Sequence, residues 1–130
     1  MIGYVTLGTN DLDRALGFYD ALLGELGATR KMEFPETGFT LYGTGGRRPG
    51  LAITRPYDGN PATPGNGNMA ALAMESRDMV DRMHAKALAL GGSDEGAPGL
   101  RTPDGPGAFY GAYFRDPEGN KLCVFRMGPA

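Results

Sequence analysis

The order of the predicted elements occurs twice along the chain, and this repeat limits the folds that the sequence can adopt. Residues 2–8, IGYVTLG, alternate as a strand does, and residues 68–74, NMAALAM, form a second such strand. Each strand is followed by an amphipathic helix and then by a strand hairpin. An offset of about 65 residues aligns Leu7 with Leu72. Two equivalent modules, each with one sheet face under a helix, predict an α+β domain.

Both helices are predicted from apolar side chains that recur at spacings of three and four. In the first helix this stripe consists of Leu12, Ala15, Leu16, Tyr19, Leu22, Leu23 and Leu26. We expect Asn10 to cap its start, Asp13 to lie in the first turn, and Gly27 to end it. The second helix is predicted within residues 76–92, with its stripe at Val80, Met83, Ala87 and Leu90.

Hairpins and glycine-rich turns complete each module. In the first half, strands at 39–44 and 50–54 flank the turn GGRRPG, and two or three strands are expected after the helix. In the second half, AFYGAYF and KLCVF flank the turn RDPEGN. Glycine and proline cluster at 43–50, 55–68 and 91–107, which indicates turns and loops. We therefore predict one domain, with module one at 1–55, a linker at 56–67 and module two at 68–128, and with loops 55–68 and 93–107 long enough to act as lids.

Charge and composition argue against several partners. The net charge of -2 comes from interspersed acids and bases, so neither nucleic acid nor an anionic membrane is expected as the partner. No stretch approaches the roughly 20 apolar residues of a membrane span. A single cysteine, Cys123, excludes an internal disulfide framework, and the first residues lack the features of a signal peptide. These features predict a cytoplasmic protein.

Three stretches carry a resemblance to a known family. They are YVTLGTNDLDRALGFYDALLGELG, LALGGSDEGAPGLR and FYGAYFRDPEGNKLCVF, which together extend over most of the chain. The sequence resembles the vicinal oxygen chelate superfamily, the group of glyoxalases, bleomycin-resistance proteins and extradiol dioxygenases. This resemblance implies two βαβββ modules whose sheets form a cup-shaped mixed sheet. It also implies a homodimer.

The same resemblance implies a divalent metal held by His, Glu or Gln on the first and last strands of each module. Carried over, these positions fall on Tyr4, Ala52, Met69 and Cys123. A neutral phenol, a methyl group and a thioether are poor ligands for a hard cation, and one thiol cannot hold a metal alone. We therefore expect no metal and no other cofactor. The alternative is a metal-dependent lyase, isomerase or dioxygenase whose ligands come from loop carboxylates or from a dimer partner.

An aromatic and mildly polar lining is predicted for the cup. Tyr4, Thr6, Thr54, Met69, Ala71 and Cys123 share the inward face, whereas the orientations of three strand tyrosines stay open. Such a lining suits a flat or apolar small molecule, and an arginine in the second lid loop is placed to pair with an anionic group. The predicted ligand-binding residues are Tyr4, Thr6, Tyr42, Met69, Arg101, Tyr110, Tyr113 and Cys123.

Three of these residues also have simpler explanations. In these, Met69 fills an apolar gap, Tyr4 packs with its hydroxyl in water, and Cys123 is a small buried apolar residue. His84, the sole histidine, is a helix-surface or packing residue. The sequence favours a protein that binds a small molecule without a metal and leaves open whether it is an enzyme. A module that mainly dimerises, with an empty or collapsed cup, is the third possibility.

Overall fold

Ten elements follow one another in the computed structural model, which describes residues 1–130, and their order is βαβββ twice. The elements are β1 (Tyr4–Gly8), α1 (Leu12–Gly24), β2 (Thr29–Phe34), β3 (Phe39–Gly43), β4 (Gly50–Thr54), β5 (Ala70–Ala73), α2 (Arg77–Ala89), β6 (Ser93–Leu100), β7 (Phe109–Arg115) and β8 (Lys121–Met127). The predicted α+β class and the two βαβββ modules are confirmed. Neither helix has the length and apolar character that a membrane crossing requires.

The first compact unit contains residues 1–66 and 117–120. Its sheet has the strand order β1-β4-β3-β2, with β1 parallel to β4 and the other neighbours antiparallel. Helix α1 buries Phe18, Tyr19 and Leu22 in the core of this unit. Because successive strand side chains alternate, the sheet has a face on the side of α1 and an opposite face, which we call the open face.

The second compact unit contains residues 67–116 and 121–130, and it repeats this arrangement. Its strand order is β5-β8-β7-β6, again with one parallel pair, β5 with β8. Helix α2 buries Val80 and Met83, and Leu122 and Val124 of β8 lie in the same core. The predicted linker, residues 56–67, lies almost entirely within the first unit.

The helix ends differ from the expectation in one respect. The N-cap of α1 is Asp11, whose carboxylate accepts a hydrogen bond from the backbone N–H of Arg14, so the prediction of Asn10 as the cap was wrong. Helix α1 ends at Gly24, and Gly27 follows in the left-handed region with φ of 74°. The Asn10 side chain instead makes hydrogen bonds with Ala62 in the loop after β4, as described below.

Residues 93–100 form strand β6, so the prediction of a loop from 93 to 107 was wrong for its first part. The strand SDEGAPGL contains two glycines and a proline, and its pairing with β7 shifts register twice. Such residues are tolerated on an edge strand because one side of the strand needs no partners. The loop after this strand is therefore shorter than predicted and begins at Arg101.

Candidate functional site

A cleft of about 760 Å³ lies at the open face of the first sheet. Strand side chains and the loop after β4 both line it, and we call it the module-one cleft. Its lining includes Thr6, Phe39, Thr54, Arg55, Tyr57 and Ala62. Ligand pockets for small molecules commonly have volumes of roughly 300 to 1,000 Å³. The cleft is therefore large enough for such a ligand.

Asn10 holds the loop that lines this cleft. The backbone N–H of Ala62 donates to Asn10 Oδ1 at 2.6 Å, and Asn10 Nδ2 donates to the carbonyl of Ala62 at 3.2 Å. The loop approaches the sheet closely at Gly8, where an added Cβ would lie 3.1 Å from the Cβ of Ala62. A small residue at position 8 lets the loop pack directly against β1.

Glu118 of the RDPEGN turn fixes the residues before α1. Its Oε1 accepts hydrogen bonds from the Thr9 hydroxyl and the Asn10 backbone N–H, both at 2.7 Å, and its Oε2 accepts from Asn10 Nδ2 at 3.1 Å. Burial favours a higher pKa for Glu118, but these bonds and the charge of Arg14 outweigh it and lower the pKa. Asn120 Nδ2 also donates to the carbonyl of Gly8 at 2.9 Å. The turn is thus a structural support of the cleft.

The cleft contains polar groups that the protein leaves unpaired. The Thr6 hydroxyl makes no hydrogen bond within the chain, and the Arg55 guanidinium makes neither a hydrogen bond nor an ion pair. Arg55 packs over Gly38, where an added Cβ would meet its Nη1 at 2.9 Å. Glu36 and Asp58 also line the cleft, so its charge is mixed. These groups are available to a ligand with several polar atoms.

The structure separates the two tyrosines predicted in the first module. Tyr4 is 52% exposed and packs edge-on against Phe39 with ring centroids 5.7 Å apart, on the same face as Thr6. Tyr42 is 2% exposed and its hydroxyl donates to Asp20 Oδ1 at 2.7 Å, beside α1. Burial and the Asp20 carboxylate raise the pKa of Tyr42. Its place in the core corrects its assignment as a ligand-binding residue.

In the second module, three predicted residues come together around one ring. Arg101 lies 5.4 Å from the centre of the Tyr113 ring, and Tyr113 pairs across the strands with Cys123. Lys121, which was not predicted, lies 5.5 Å from the same ring centre. We call Arg101, Tyr113, Lys121 and Cys123 the module-two cluster. Burial raises the pKa of Cys123, against the opposing effects of Tyr113, Arg101 and Lys121, so the thiol is neutral.

The other two residues predicted in the second module, Met69 and Tyr110, lie outside the module-two cluster. Met69 is 46% exposed, just before β5, where Ala71 pairs with Cys123. Tyr110 alternates with Tyr113 to the face of α2, and its hydroxyl donates to Asp81 Oδ1 at 2.7 Å. Because Tyr110 lies on the helix side, its assignment to the ligand-binding face is corrected. The ring of Tyr110 is in contact with the Arg77 guanidinium at 5.3 Å.

His84 is a packing residue. It is buried on α2, and its Nε2 lies 2.9 Å from Asp94 Oδ1. The pKa of Asp94 is lowered by the backbone N–H of Gly96 and then by His84. With its nitrogen engaged by a carboxylate of its own unit, His84 forms no part of either open face.

The residues present do not fit the metal that the family resemblance implies. No group of three or more His, Cys, Asp or Glu side chains has a geometry that could hold an ion. Tyr4 and Ala52 in the first module, and Met69 and Cys123 in the second, stand at the implied positions. Thioether and neutral thiol sulfur are soft donors, and a methyl group is no donor. We therefore derive no chemistry through a metal.

Two βαβββ modules, each with a four-stranded mixed sheet and one helix, define the architecture of a two-module α+β protein. The sequence model of the Glyoxalase/Bleomycin resistance protein/Dioxygenase superfamily matches residues 1–124. The chain belongs to this superfamily, as the sequence motifs predicted. No curated protein matches the sequence.

Solved structures agree with this assignment. The chain is similar to a glyoxalase/bleomycin resistance protein from Albidiferax ferrireducens T118, with 40% identity and a TM-score of 0.84 over 97% of this chain and 98% of that one. It is similar to a family enzyme from Burkholderia phytofirmans PsJN, with 19% identity and a TM-score of 0.72 over 96% and 97% of the two chains. The lactoylglutathione lyase from Agrobacterium tumefaciens shows 22% identity and a TM-score of 0.65 over 97% and 92%. The last two show a shared fold alone.

Sequence reasoning missed Arg55, Lys121 and Glu118. Lys121 stands two residues before Cys123 on β8, so strand alternation places both on one face, and this signal was present in the sequence. Glu118 was treated only as part of a turn. Its partners at Thr9 and Asn10 lie more than 100 positions away, at separations of 109 and 108, and no local pattern identifies them.

Proposed function

We propose that this superfamily member binds a small organic molecule in the module-one cleft and does so without a metal ion. The observation that carries the proposal is the cleft itself, about 760 Å³ in volume and lined by open-face strand residues and a held loop. A concave surface with both polar and apolar side chains is the usual form of a small-molecule site, and the cleft has this form.

The lining indicates the kind of ligand. Phe39 supplies an aromatic surface, while the Thr6 hydroxyl and the Arg55 guanidinium supply polar groups without partners in the chain. Pockets of this composition use apolar contact for affinity and a few polar groups for orientation. A small molecule with one flat apolar part and a polar edge matches these features.

The loop between Arg55 and Thr63 supports binding in a defined pocket. Its contacts with Asn10 at 2.6 and 3.2 Å fix Ala62, and Asp58 accepts hydrogen bonds from the backbone and side-chain nitrogens of Asn60 at 2.9 and 3.1 Å. A loop held in this way loses little conformational freedom when a ligand binds. Affinity is therefore not spent on ordering the pocket.

The test combines a ligand panel with one blocking variant. Flat organic molecules are screened by thermal shift, since a ligand at about 100 times its Kd stabilises the folded state by roughly 2.7 kcal/mol. Thr6→Phe places a ring in the cleft and is expected to abolish the shift. Thr44→Phe, at an exposed position outside the cleft, is the matched control and retains it. Equal binding by both variants would place the ligand elsewhere.

Metal content separates the proposal from the metal-dependent enzyme. Protein purified without a histidine tag is analysed for zinc, nickel, manganese and iron, and only traces are expected. Near-stoichiometric metal, with binding that is lost on chelation, would instead support the enzyme.

The homodimer and the cytoplasmic location stay predictions. Light scattering of the purified protein measures the mass in solution directly, and a mass near twice 13.7 kDa supports the dimer. If no molecule in the panel shifts the unfolding temperature and the mass is that of a dimer, the results would favour the interaction module over the small-molecule binder.

A further inference from the structure

Two cationic side chains converge on one ring in the second module. Arg101 and Lys121 lie 5.4 and 5.5 Å from the centre of the Tyr113 ring. Neither cation has a carboxylate within ion-pair distance, and Glu95 is already paired with Arg115 at 2.6 Å. The two cations of the cluster therefore have no direct ion pair within the chain.

The position of Arg101 is built by the backbone beneath it. Its Nη2 donates to the carbonyl of Ala97 at 2.6 Å. Added Cβ atoms at Gly96 and Gly99 would lie 3.3 and 3.1 Å from its guanidinium nitrogens, so two glycines make room for the group. The guanidinium is thereby held over Tyr113 with most of its donors still unused.

The remaining member of the cluster is a buried cysteine and not a carboxylate. Cys123 is 1% exposed and lies across the strands from Tyr113. The position of the two cations over one ring, with no carboxylate of the chain within ion-pair distance, indicates an anionic partner that is not part of this chain.

We propose that the module-two cluster is a binding site for a carboxylate or phosphate group of a small molecule, held by Arg101 and Lys121 beside the Tyr113 ring. All four residues of the cluster belong to the second compact unit, whereas the residues that line the module-one cleft belong to the first. In this module Met69 and Cys123 stand where the family resemblance implies metal ligands, and the two side-chain cations supply positive charge next to Cys123 instead. A guanidinium suits this task because its planar donors match the paired oxygens of a carboxylate or phosphate.

Titration of the full chain with benzoate, benzamide and inorganic phosphate tests the site, with binding followed by NMR shifts of the Tyr113 ring and the Arg101 side chain. Benzoate and phosphate are expected to shift these signals. Benzamide, which has the same shape without the charge, is expected to bind about tenfold more weakly or not at all. Equal effects of benzoate and benzamide, or no shift with either anion, would overturn the proposal.

Three charge variants localise the effect. Arg101→Gln and Lys121→Gln are each expected to weaken benzoate binding about tenfold. Arg47→Gln removes the same charge from an exposed turn in the other module and is expected to bind benzoate as the wild type does. If Arg101→Gln and Lys121→Gln bind like Arg47→Gln, the anion is not held by the cluster.

A positional variant separates geometry from charge. Gly99→Ala keeps Arg101 but crowds its Nη1, so we expect a severalfold loss of benzoate binding. Gly107→Ala, where an added Cβ meets no atom within 4 Å, is the control and retains binding. Unchanged binding in Gly99→Ala would contradict the role assigned to the position of the guanidinium.

Discussion

Glu118→Gln tests whether the carboxylate at the RDPEGN turn supports the first module. The carboxylate is only 12% exposed and accepts hydrogen bonds from the Thr9 hydroxyl, from two nitrogens of Asn10 and, at 3.4 Å, from the Arg14 guanidinium. Glutamine keeps one acceptor oxygen, but its NH₂ group then faces the Asn10 amide, which is also a donor. Because hydrogen bonds to a charged group contribute about 1.5 to 3 kcal/mol, we expect a loss of about 2 kcal/mol in the free energy of unfolding.

Thermal and urea unfolding measure this loss. For a chain of this size, a loss of about 2 kcal/mol lowers Tm by roughly 6 to 10 °C. The control is Glu33→Gln, which removes an ion pair with Arg30 at 2.9 Å from a side chain that is 52% exposed. Exposed pairs contribute about 0 to 1 kcal/mol, so this variant is expected to unfold close to the wild type.

The same comparison at low pH checks the sign of the effect. The pKa of Glu118 in the folded protein is lowered from its ordinary value of 4.5, so its stabilisation is fully present above that value. It is lost as the pH falls from 4.5 through the lowered folded-state pKa. The difference between wild type and Glu118→Gln should therefore be largest near pH 7 and shrink in acid. A difference that is absent at pH 7, or that grows in acid, would refute the reasoning.

Three further predictions concern the core, the backbone and metal. Tyr42→Phe removes a part-buried hydrogen bond to Asp20 and should lower the free energy of unfolding by about 1 to 2 kcal/mol. Tyr57→Phe, at a fully exposed ring, should change it by less than about 0.5 kcal/mol, and urea unfolding distinguishes the two variants. In Gly92→Ala the new Cβ would lie 2.7 Å from a backbone carbonyl oxygen, so we expect the free energy of unfolding to fall by about 1 to 3 kcal/mol. Gly17→Ala lies in open space on α1, so we expect the free energy of unfolding to rise by about 0.5 to 1 kcal/mol. Equal effects of the two variants in urea unfolding would contradict both expectations. Treatment with EDTA should leave Tm unchanged, and a fall that added metal reverses would show a metal site.

The repeat in the sequence was sufficient to predict two equivalent modules of strands and a helix, but it did not locate every strand. Strand alternation and helix spacing predicted β1, α1, β5 and α2 and the hairpin at the end of the chain. The edge strand β6 was not predicted because an edge strand pairs on one side only and therefore tolerates glycine and proline. Glycine and proline in SDEGAPGL therefore resemble a loop in sequence while the backbone still pairs with β7.

The candidate sites were predictable only where they depend on strand alternation. Thr6 and Thr54 were assigned to one face from alternation, and both line the module-one cleft. The orientation of Tyr113 was left open, and only the strand register places it beside Cys123. Tyr42 could not be placed because a tyrosine suits both a ligand face and a core, and its partner Asp20 is set by the packing of α1. Distant contacts of this kind decide the orientation of a side chain, and a single sequence does not contain them.

The strand register shows how one architecture presents two different surfaces. Thr6 pairs with Ala52 in the first sheet, and Ala71 pairs with Cys123 in the second, at equivalent places in the two modules. The repeated backbone therefore determines the positions of these side chains, whereas the residue types at those positions differ between the two modules. The first module has a hydroxyl beside a cleft of mixed charge, and the second has a neutral thiol beside two cations that have no direct ion pair. Because the two faces differ in charge, an anionic probe is expected to distinguish them, and a neutral flat molecule is expected to prefer the first.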